Sequence, residues 1–405
     1  MKRHDVIVVG GGVTGAATAL ALLRQGFDVA LIEKGAAPAP FKPEHYDARV
    51  YAISPGSARF LQDCGVWNRI AAQRASPYTR MQVWEGTPAR SLSFDAAELA
   101  VPELGHIIED SLLRAALWSA LAGATVLTGV HVTSLALGVG APSGATVAPK
   151  GAPTGATPRL KLSNGDTLVA DLVVAAEGAD SPLREWAGID VGGWSYPQRS
   201  IVANVTTEKP HRGTAYQRFM PGGPLAFLPL ADGRSSIVWS TDTAEAGALM
   251  ALPDAEFRER LAEALQGHLG AITAADQRHA FPLRLLHAER YVAPGVALVG
   301  DAAHVIHPMA GQGLNLGLAD VEALAAVLVE ARKQKKPVGA LRVLQRYERA
   351  RKADNVEALA LVDSLHRLFR LRSPELGGLR EIGMSLVGRA GIVKAALAKR
   401  AMGIG

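Results

Sequence analysis

A glycine-rich turn near the start of the chain constrains the fold more than any other feature of the sequence. Asp5–Gly10 predicts a buried strand, and Gly10–Gly15 has the sequence Gly-Gly-Gly-Val-Thr-Gly. A helix is predicted over Ala16–Gln25, and a second strand over Phe27–Ile32 ends in Glu33. This order of strand, turn, helix, strand and acidic residue is typical of a dinucleotide-binding unit.

Each part of this fingerprint has a physical role. Gly10 makes the turn, Gly12 lets the backbone approach a pyrophosphate, and Gly15 permits close packing of the helix on the strand. The carboxylate of Glu33 can accept hydrogen bonds from ribose hydroxyls. A turn with no ligand is the alternative, but the complete order of elements favours a bound dinucleotide.

A second motif lies about 290 residues later. Val296–Val299 predicts a buried strand that ends at Gly300-Asp301, and Pro308 then interrupts the backbone. Gly311–Gly313 opens a predicted helix that continues through Leu318. The free N–H groups of such a helix N-terminus favour negative charge. An ordinary strand–helix connection is the alternative interpretation.

A third strand, predicted over Asp171–Ala176, runs into Glu177-Gly178. The chain thus has two further motifs that combine an acidic residue with glycine, Glu177-Gly178 and Asp301 with Gly311–Gly313. A nicotinamide dinucleotide in a simple nucleotide-binding domain needs only the Gly10–Gly15 turn and its acidic residue. A longer flavin dinucleotide accounts for the two further motifs, with its adenosine end at Gly10–Glu33 and its ring end at Asp301–Gly313. The three motifs together therefore predict FAD.

Between these motifs the pattern changes to short strands separated by Pro-Gly and Asp-Gly turns, from Gln198 to Thr241. This predicts an inserted antiparallel sheet. Four residues of the sheet are candidates for a substrate pocket, with a place in the core as the alternative for each aromatic ring: Tyr216, Phe219, Phe227 and Pro229. Residues 138–158 are rich in Gly, Ala, Pro, Ser and Thr, and predict a flexible excursion between two strands.

Composition limits the class of protein. With 405 residues, 48% of them hydrophobic and 20% charged, the chain is globular and long enough for more than one domain. Cys64 stands alone, which fits a reducing cytoplasm and leaves no Cys-based metal site. The spacing of His304 and His307 is that of a metal pair, but Pro308 follows at once and no third ligand is evident, so no metal is predicted.

The charge of the chain is unevenly distributed. The net charge is +5, yet residues 332–405 contain 17 Lys and Arg against 6 Asp and Glu. The apolar run after Met1-Lys-Arg-His is interrupted by glycines and predicts a strand and helix rather than a membrane span. The basic end predicts contact with an anionic surface, and a solvated helix face is the alternative. The basic residues are not accompanied by the aromatic residues of a nucleic-acid-binding groove, so binding of nucleic acid is not expected.

The motifs resemble those of the single-component FAD-dependent aromatic hydroxylases, and within them the ubiquinone-biosynthesis hydroxylases of the Ubi/Coq type. The most specific stretch is Gly300–Gly317, with Gly-Asp-Ala-Ala-His-Val-Ile-His-Pro-Met-Ala-Gly-Gln-Gly-Leu-Asn-Leu-Gly. The likeness covers nearly the whole chain, and other stretches also carry it: Asp47–Arg49 with Ala52 and Ser54, Met81–Trp84, Gly105–Glu109, Gln217–Phe219 and Gly223–Leu230.

The resemblance implies roles for individual residues. Glu33 would hold the adenosine ribose, Arg49 the pyrophosphate and Asp301 the ribityl chain. Pro308, the one catalytic candidate, would lie against the isoalloxazine, and the N–H groups of Gly311–Leu314 would face its pyrimidine edge. The full set of predicted cofactor-binding residues is Gly10, Gly12, Val13, Thr14, Gly15, Glu33, Lys34, Arg49, Asp110, Arg114, Val132, Glu177, Gly178, Asp301, Pro308, Gly311, Gln312, Gly313, Leu314 and Asn315.

The resemblance also implies an activity, hydroxylation of the ring of a polyprenylated phenol or quinol precursor through a flavin hydroperoxide. Molecular oxygen would be the co-substrate, and NAD(P)H or a separate reductase the electron donor. Alternatives are a hydroxylase of a small soluble phenol and a non-catalytic flavoprotein subunit of a ubiquinone-biosynthesis complex. The family usually has Glu-Asn-Arg where this chain has Glu109-Asp110-Ser111, and Asp is commoner at Glu177. The ring position, prenyl length, general base and oligomeric state are not encoded in these motifs.

The predicted fold class is α/β, with a Rossmann-like FAD-binding domain built from discontinuous segments. That domain comprises residues 1–75, 104–190 and 285–335. The inserted antiparallel β-sheet domain, predicted to hold the substrate, comprises 76–103 and 191–284, and a basic helical region comprises 336–405.

Overall fold

The structure is a computed structural model that describes residues 2–138, 157–307, 311–370 and 402–403. The helices are α1 (Val13–Arg24), α2 (Pro55–Asp63), α3 (Trp67–Arg74), α4 (Asp110–Ser119), α5 (Pro182–Trp186), α6 (Thr243–Ala251), α7 (Asp254–Ala264), α8 (Gly313–Lys333) and α9 (Leu341–Arg370), with 3₁₀ turns at Pro88–Arg90 and Gly300–Ala302. The strands are β1 (Lys2–Val9), β2 (Val29–Glu33), β3 (Val50–Ile53), β4 (Ser76–Tyr78), β5 (Arg80–Trp84), β6 (Leu92–Asp95), β7 (Gly105–Glu109), β8 (Thr125–Thr128), β9 (Val132–Ala136), β10 (Arg159–Leu162), β11 (Thr167–Ala175), β12 (Val191–Thr207), β13 (Thr214–Met220), β14 (Gly223–Pro229), β15 (Ser235–Asp242), β16 (Ile272–Ala275), β17 (His279–Ala288), β18 (Val292–Ala293), β19 (Val296–Leu298) and β20 (His304–Val305).

The nucleotide-binding sheet has the strand order β18-β19-β11-β1-β2-β8. Its central strands are parallel, and β1 lies between β2 and β11. Val6–Val9 are at most 5% exposed because helices cover both faces of such a sheet. The three predicted motifs follow β1, β11 and β19, so the parallel register brings them to one edge. This confirms the Rossmann-like part of the predicted fold.

The larger sheet has the order β20-β17-β12-β15-β14-β13-β5-β6. Its pairs are antiparallel except for β5 with β13, where Thr214 lies opposite Arg80. The parallel pair arises because β5 comes from a distant segment of the chain and is joined to β13 by a long crossover rather than a hairpin. A third, separate sheet has the order β3-β7-β4, and both of its pairs are antiparallel.

Two faces of the larger sheet bury different sets of residues. One face packs on α6 and α7 in a cluster that includes Trp84, Phe227 and Phe257. The opposite face contributes Val83 and Phe219 to a second cluster with residues of α9. Because side chains alternate along a strand, adjacent residues such as Val83 and Trp84 reach opposite faces.

The chain end returns to the nucleotide-binding part. Gly56 at the start of α2 donates its N–H to the carbonyl of Met402 at 2.9 Å. A Cβ on Gly56 would lie 2.6 Å from the carbonyl oxygen of Gly403, so glycine is required there. The predicted excursion, apart from its ends, and most of the basic tail lie outside the described residues. Within the described part no helix is both long and apolar enough to cross a bilayer.

The sheets cut across the predicted domain boundaries at three points. β4 pairs with β7 rather than with the larger sheet, although the prediction placed residues 76–103 in the inserted domain. The end of β17 and all of β20 belong to the larger sheet, although the prediction placed them in the FAD-binding domain. The division into domains remains a prediction, and these strands show where the two parts are continuous.

Candidate flavin site

Two glycines of the first turn are packed closely against the backbone, and a third borders open space. A Cβ on Gly10, where φ is +101°, would lie 2.3 Å from the carbonyl oxygen of Ala176. A Cβ on Gly15 would lie 1.8 Å from the carbonyl oxygen of Gly10. A Cβ on Gly12 would meet nothing within 4 Å. The open space beside Gly12, at the uncapped N-terminus of α1, fits the predicted approach of a pyrophosphate.

Glu33 lies at the end of β2, directly beside this turn. Its Oε2 accepts the Gly11 N–H at 2.6 Å and its Oε1 accepts the Gly35 N–H at 2.7 Å. The indole Nε1 of Trp118 donates to the Gly11 carbonyl at 2.9 Å. Each carboxylate oxygen keeps a further lone pair for a ribose hydroxyl, so the orientation is compatible with the predicted role. The neighbouring Lys34 is exposed.

A second group of predicted cofactor residues lies at β3 and in the first turns of α4. The Tyr51 hydroxyl donates to Asp110 Oδ1 at 3.0 Å, and the Arg49 guanidinium is 5.2 Å from the centre of the Tyr51 ring. Arg114 is 3.8 Å from Asp110 Oδ2, and its buried Nε has no hydrogen-bond partner among the described residues. A buried guanidinium N–H without an acceptor fits an anionic ligand such as a pyrophosphate.

Three predicted cofactor residues direct their side chains into the protein. Val132 is 7% exposed and belongs to the core. Thr14 fills the space between Gly300 and Gly317, where an added Cβ would lie about 3.0 Å from it in each case. Glu177 accepts from Ser181 Oγ at 2.6 Å and thereby holds the start of α5. The side chains of Thr14 and Glu177 thus pack against or hold neighbouring turns, and that of Val132 packs in the core.

The neighbours of Glu177 complete this turn. Burial raises the pKa of Glu177, and the Ser181 bond opposes that change. Gly178, with φ of +90°, has open space around it. Asp180 forms a bidentate ion pair with Arg284 at 2.8 and 3.0 Å, which lowers the pKa of Asp180.

Asp301 lies in the 3₁₀ turn that follows β19. Asp301 is exposed to solvent. The partial loss of hydration raises the pKa of the Asp301 carboxyl, and the charges of His304, Arg49 and Arg284 oppose that shift. Arg49 and Asp301 come from segments about 250 residues apart, and the fold brings them close enough for their charges to interact.

The N-terminus of α8 has no side-chain cap, and a Cβ on Gly313 would meet nothing within 4 Å. Asn315 is buried and fastens this end: its Oδ1 accepts the Ser54 N–H at 2.9 Å, and its Nδ2 donates to the Ala52 carbonyl at 2.8 Å. The N–H groups at this helix N-terminus can stabilise negative charge. Pro308 lies outside the described residues, so its predicted place remains a prediction.

The four predicted substrate residues do not share a face. Tyr216 and Phe227 belong to the cluster under α6 and α7, and Pro229 follows Phe227 on the same side of β14. Only Phe219 belongs to the cluster with Ile306 and with Leu316 of α8. The other three lie on the face that α6 and α7 cover, and apolar alternation does not indicate which face of a two-faced sheet is covered by helices. We therefore retain Phe219 alone.

Asp320 and Arg351, which the sequence interpretation missed, form a buried charged group with His304 next to the Gly300 turn. His304 binds the buried carboxylate of Asp320 at 2.6 Å, and Arg351 of α9 binds the same carboxylate at 3.0 Å. No group of three His, Cys, Asp or Glu that could hold a metal occurs in the described ranges. The sequence did contain a signal for this group. Asp320 lies between Leu318 and Val321 on the apolar side of α8, and a buried carboxylate at such a position requires a charged or hydrogen-bonding partner.

The fold and the candidate flavin site define a flavin-dependent oxidoreductase. Residues 3–360 match the family model described as FAD binding domain, FAD_binding_3. The chain belongs to this family, and among its members to the FAD-dependent ubiquinone-biosynthesis hydroxylases, which are monooxygenases.

Similar proteins support this membership along the whole chain. The 3-demethoxyubiquinol 3-hydroxylase of Escherichia coli K12 is 38% identical over 401 residues, covering 99% of this chain and 98% of that protein. Ubiquinone hydroxylase UbiL of Rhodospirillum rubrum is 36% identical, with 99% and 90% covered. Human mitochondrial ubiquinone biosynthesis monooxygenase COQ6 is 33% identical, with 94% and 88% covered.

Solved structures share the fold. The p-nitrophenol 4-monooxygenase PnpA of Pseudomonas putida DLL-E4 has a TM-score of 0.77 at 20% identity, and 99% of each chain is covered. PqsL of Pseudomonas aeruginosa, described as a probable FAD-dependent monooxygenase, has a TM-score of 0.75 at 23% identity, covering 95% of this chain and 99% of that one. At these identities the likeness extends to the fold and not to the substrate.

Proposed function

We propose that this monooxygenase hydroxylates the aromatic ring of a polyprenylated phenol or quinol precursor in ubiquinone biosynthesis. Molecular oxygen is the co-substrate, and NAD(P)H or a separate reductase supplies the electrons. The names of the relatives support the substrate class. The observation that carries the proposal is an apolar cluster next to the start of α8, where the flavin ring is expected.

The apolar cluster joins four separate parts of the fold. Val83 and Phe219 come from the larger sheet, and Ile306 comes from the loop after β20. Leu359, Val362 and Phe369 come from α9, and Leu316 of α8 packs against them. These side chains offer apolar contacts to a ring and the first units of a prenyl chain, whereas a small ionised phenol would need more polar partners.

The chain and the cofactor have separate tasks in this reaction. FAD, when bound, supplies the chemistry that activates oxygen. The residues of the chain bind and orient: Gly12 and Arg114 line the pyrophosphate side, and Asp301 lies where the ribityl chain is expected. The apolar cluster excludes water from the ring, which protects a reactive oxygen donor and strengthens the electrostatic contacts nearby.

Complementation tests the proposal. The chain would be expressed in Escherichia coli lacking 3-demethoxyubiquinol 3-hydroxylase, with parallel strains that each lack one other ring hydroxylase of the pathway. Mass spectrometry of the extracted quinones should show restored ubiquinone in at least one strain. An Asp301→Ala variant that has lost FAD is the control and should restore none.

The outcomes separate the alternatives. Ubiquinone in one strain only identifies the ring position. If intermediates of ubiquinone biosynthesis persist in all strains and the purified protein turns over a soluble phenol, the alternative of a small-phenol hydroxylase would be favoured. Restoration by the FAD-free Asp301→Ala variant would favour a non-catalytic subunit of a biosynthetic complex.

We also propose that the protein contacts an anionic membrane from the cytoplasmic side, where a prenylated substrate is found. The basic composition of residues 332–405 supports this. Leu361 and Leu368 on α9 are 48% and 41% exposed, and Trp194 is 44% exposed with the Arg367 guanidinium 5.3 Å from its ring centre. Exposed apolar side chains beside a cation suit the headgroup region of a bilayer.

Vesicle sedimentation tests this contact. Wild-type protein should sediment with vesicles that contain anionic phospholipid and stay in solution with neutral ones. A Trp194→Ser, Leu368→Ser double variant should bind several-fold more weakly, while Trp186→Ser, at another exposed tryptophan on α5, should bind as the wild type does. Equal binding by all three proteins would contradict the proposed surface.

A further inference from the structure

A fully buried carboxylate lies behind the turn that carries Asp301, on the side away from the expected flavin. Asp320, in the second turn of α8, is 0% exposed. Its Oδ2 accepts from His304 Nε2 at 2.6 Å and from the Gly300 N–H at 3.2 Å. Its Oδ1 accepts from Arg351 Nε and from Asn355 Nδ2, each at 3.0 Å. One carboxylate therefore joins α8, α9, β20 and the turn that holds Asp301.

The charges in this group are compensated within the protein. Arg351 is buried and also donates to Asn355 Oδ1 at 2.8 Å and to Asp354 at 3.0 Å. Burial alone would raise the pKa of Asp320, but His304, Arg351 and Asn355 outweigh it and the pKa is lowered. A carboxylate that is ionised and fully hydrogen-bonded in the interior costs desolvation free energy, so it indicates a requirement for defined geometry.

The geometry fixed by Asp320 is that of the flavin turn. Gly300 has φ of +58°, and a Cβ there would lie 3.0 Å from Thr14. The turn is thus held on one side by Thr14 of α1 and on the other by the carboxylate behind the Gly300 N–H. Asp301 is the next residue, so the direction of its side chain depends on the orientation of this peptide.

We propose that Asp320 is a positioning residue for FAD: by holding the Gly300 N–H and His304, it sets the orientation of Asp301 toward the cofactor and connects that turn to α9. The inference rests on the FAD site and not on the identity of the substrate. The group extends further through Tyr291, whose hydroxyl accepts from Asn355 at 3.2 Å and contacts His287 Nε2 at 3.1 Å.

The test measures FAD binding by the apo-protein, followed through the change in flavin fluorescence, so it does not depend on turnover. Asp320→Asn should weaken FAD binding tenfold or more and alter the visible circular dichroism of the bound flavin. Tyr347→Phe is the matched control because Tyr347 is fully buried nearby and donates to the Leu298 carbonyl at 2.7 Å, but does not contact the turn. That variant should bind FAD within about twofold of the wild type.

A double-mutant cycle separates positioning from general destabilisation. If Asp320 acts through Asp301, then adding Asp320→Asn to an Asp301→Ala protein, which loses FAD on purification and is therefore titrated with excess FAD, should weaken the measured FAD binding less than about threefold further. A full tenfold loss in both backgrounds, or equal losses for Asp320→Asn and Tyr347→Phe, would overturn the proposal.

A second pair of variants keeps the test decisive if Asp320→Asn does not fold. His304→Gln retains an N–H donor toward Asp320 and should bind FAD within about threefold of the wild type, whereas His304→Leu should bind tenfold more weakly. Equal affinities of the Gln and Leu variants would overturn the proposal. The failure of the substrate assignment would leave all of these measurements unchanged.

Discussion

The ring of Phe219 in β13 is stacked on the ring of Phe369 near the end of α9, with centroids 3.9 Å apart and planes inclined by 3°. Residues 150 positions apart thus form one wall of the apolar cluster. The contact makes the last turns of α9 part of the proposed substrate pocket, although the sequence interpretation assigned that helix only to a basic region.

We predict that Phe369→Ala raises the KM for a prenylated substrate about tenfold with little change in kcat, because an aromatic pair contributes about 0.5–1.5 kcal/mol beyond its buried area. It should also lower the free energy of unfolding by about 3 kcal/mol. Phe257→Ala is the control, since Phe257 is 0% exposed in the other cluster. Steady-state kinetics should show an unchanged KM for the control, and a similar rise in both variants would contradict the assignment of the pocket.

We predict opposite behaviours for two alanine substitutions in the first turn. Gly12→Ala adds a methyl group to open space at φ of −65°, so the apo-protein should keep its melting temperature while FAD binding weakens at least tenfold. Gly15→Ala places its Cβ 1.8 Å from the Gly10 carbonyl oxygen and should prevent folding. Calorimetry and FAD titration check both. Unimpaired FAD binding by Gly12→Ala would argue against a pyrophosphate at this turn.

We predict that Glu109→Gln destabilises the protein by about 3 kcal/mol, because it leaves a buried guanidinium without its counter-charge. Glu109 binds Arg74 at 2.8 and 2.9 Å, and the two side chains are 2% and 11% exposed. Glu109 also accepts the Asp47 N–H at 2.8 Å, so the segment leading to Arg49 should loosen as well.

The exposed ion pair of Arg80 with Asp95 is the comparison for this buried pair. Its removal by Arg80→Ala should cost less than about 1 kcal/mol. Denaturant unfolding measures both variants, and equal costs would show that burial of the Arg74 pair does not matter.

We predict a pH dependence of stability from His287. Burial lowers the pKa of His287 to about 4, and Lys352 and His304 add to the shift. Between pH about 6.5 and 4 the unfolded chain then binds more protons than the folded one, so the free energy of unfolding falls as the pH falls. His287→Gln should reduce that fall by on the order of 1 kcal/mol, a value discounted because the side chain is only half-buried. A pH–stability curve of His287→Gln that matches that of the wild type would contradict the prediction.

Much of the nucleotide-binding part could be predicted from local sequence. The Gly10–Gly15 turn, Glu33 and the α8 glycines were recognised because their conformations and spacings are set by short-range rules. The resemblance to a family extended this to FAD and to the hydroxylation of a ring. The parallel pair β5–β13 was not predictable in the same way, since pairing partners that are distant in sequence leave no local pattern.

The sequence by itself determined the cofactor class, since a turn that admits a pyrophosphate requires glycines at fixed positions. Only the tertiary structure decided which side chains of the larger sheet pack against α8 and α9. Alternation along β13 predicted Tyr216 and Phe219 equally well, but α6 and α7 cover one face of the sheet and α9 the other. In the same way Asp320 became part of the site only when α8, α9 and the Gly300 turn met around it, because burial and pairing of a charge depend on residues far away along the chain.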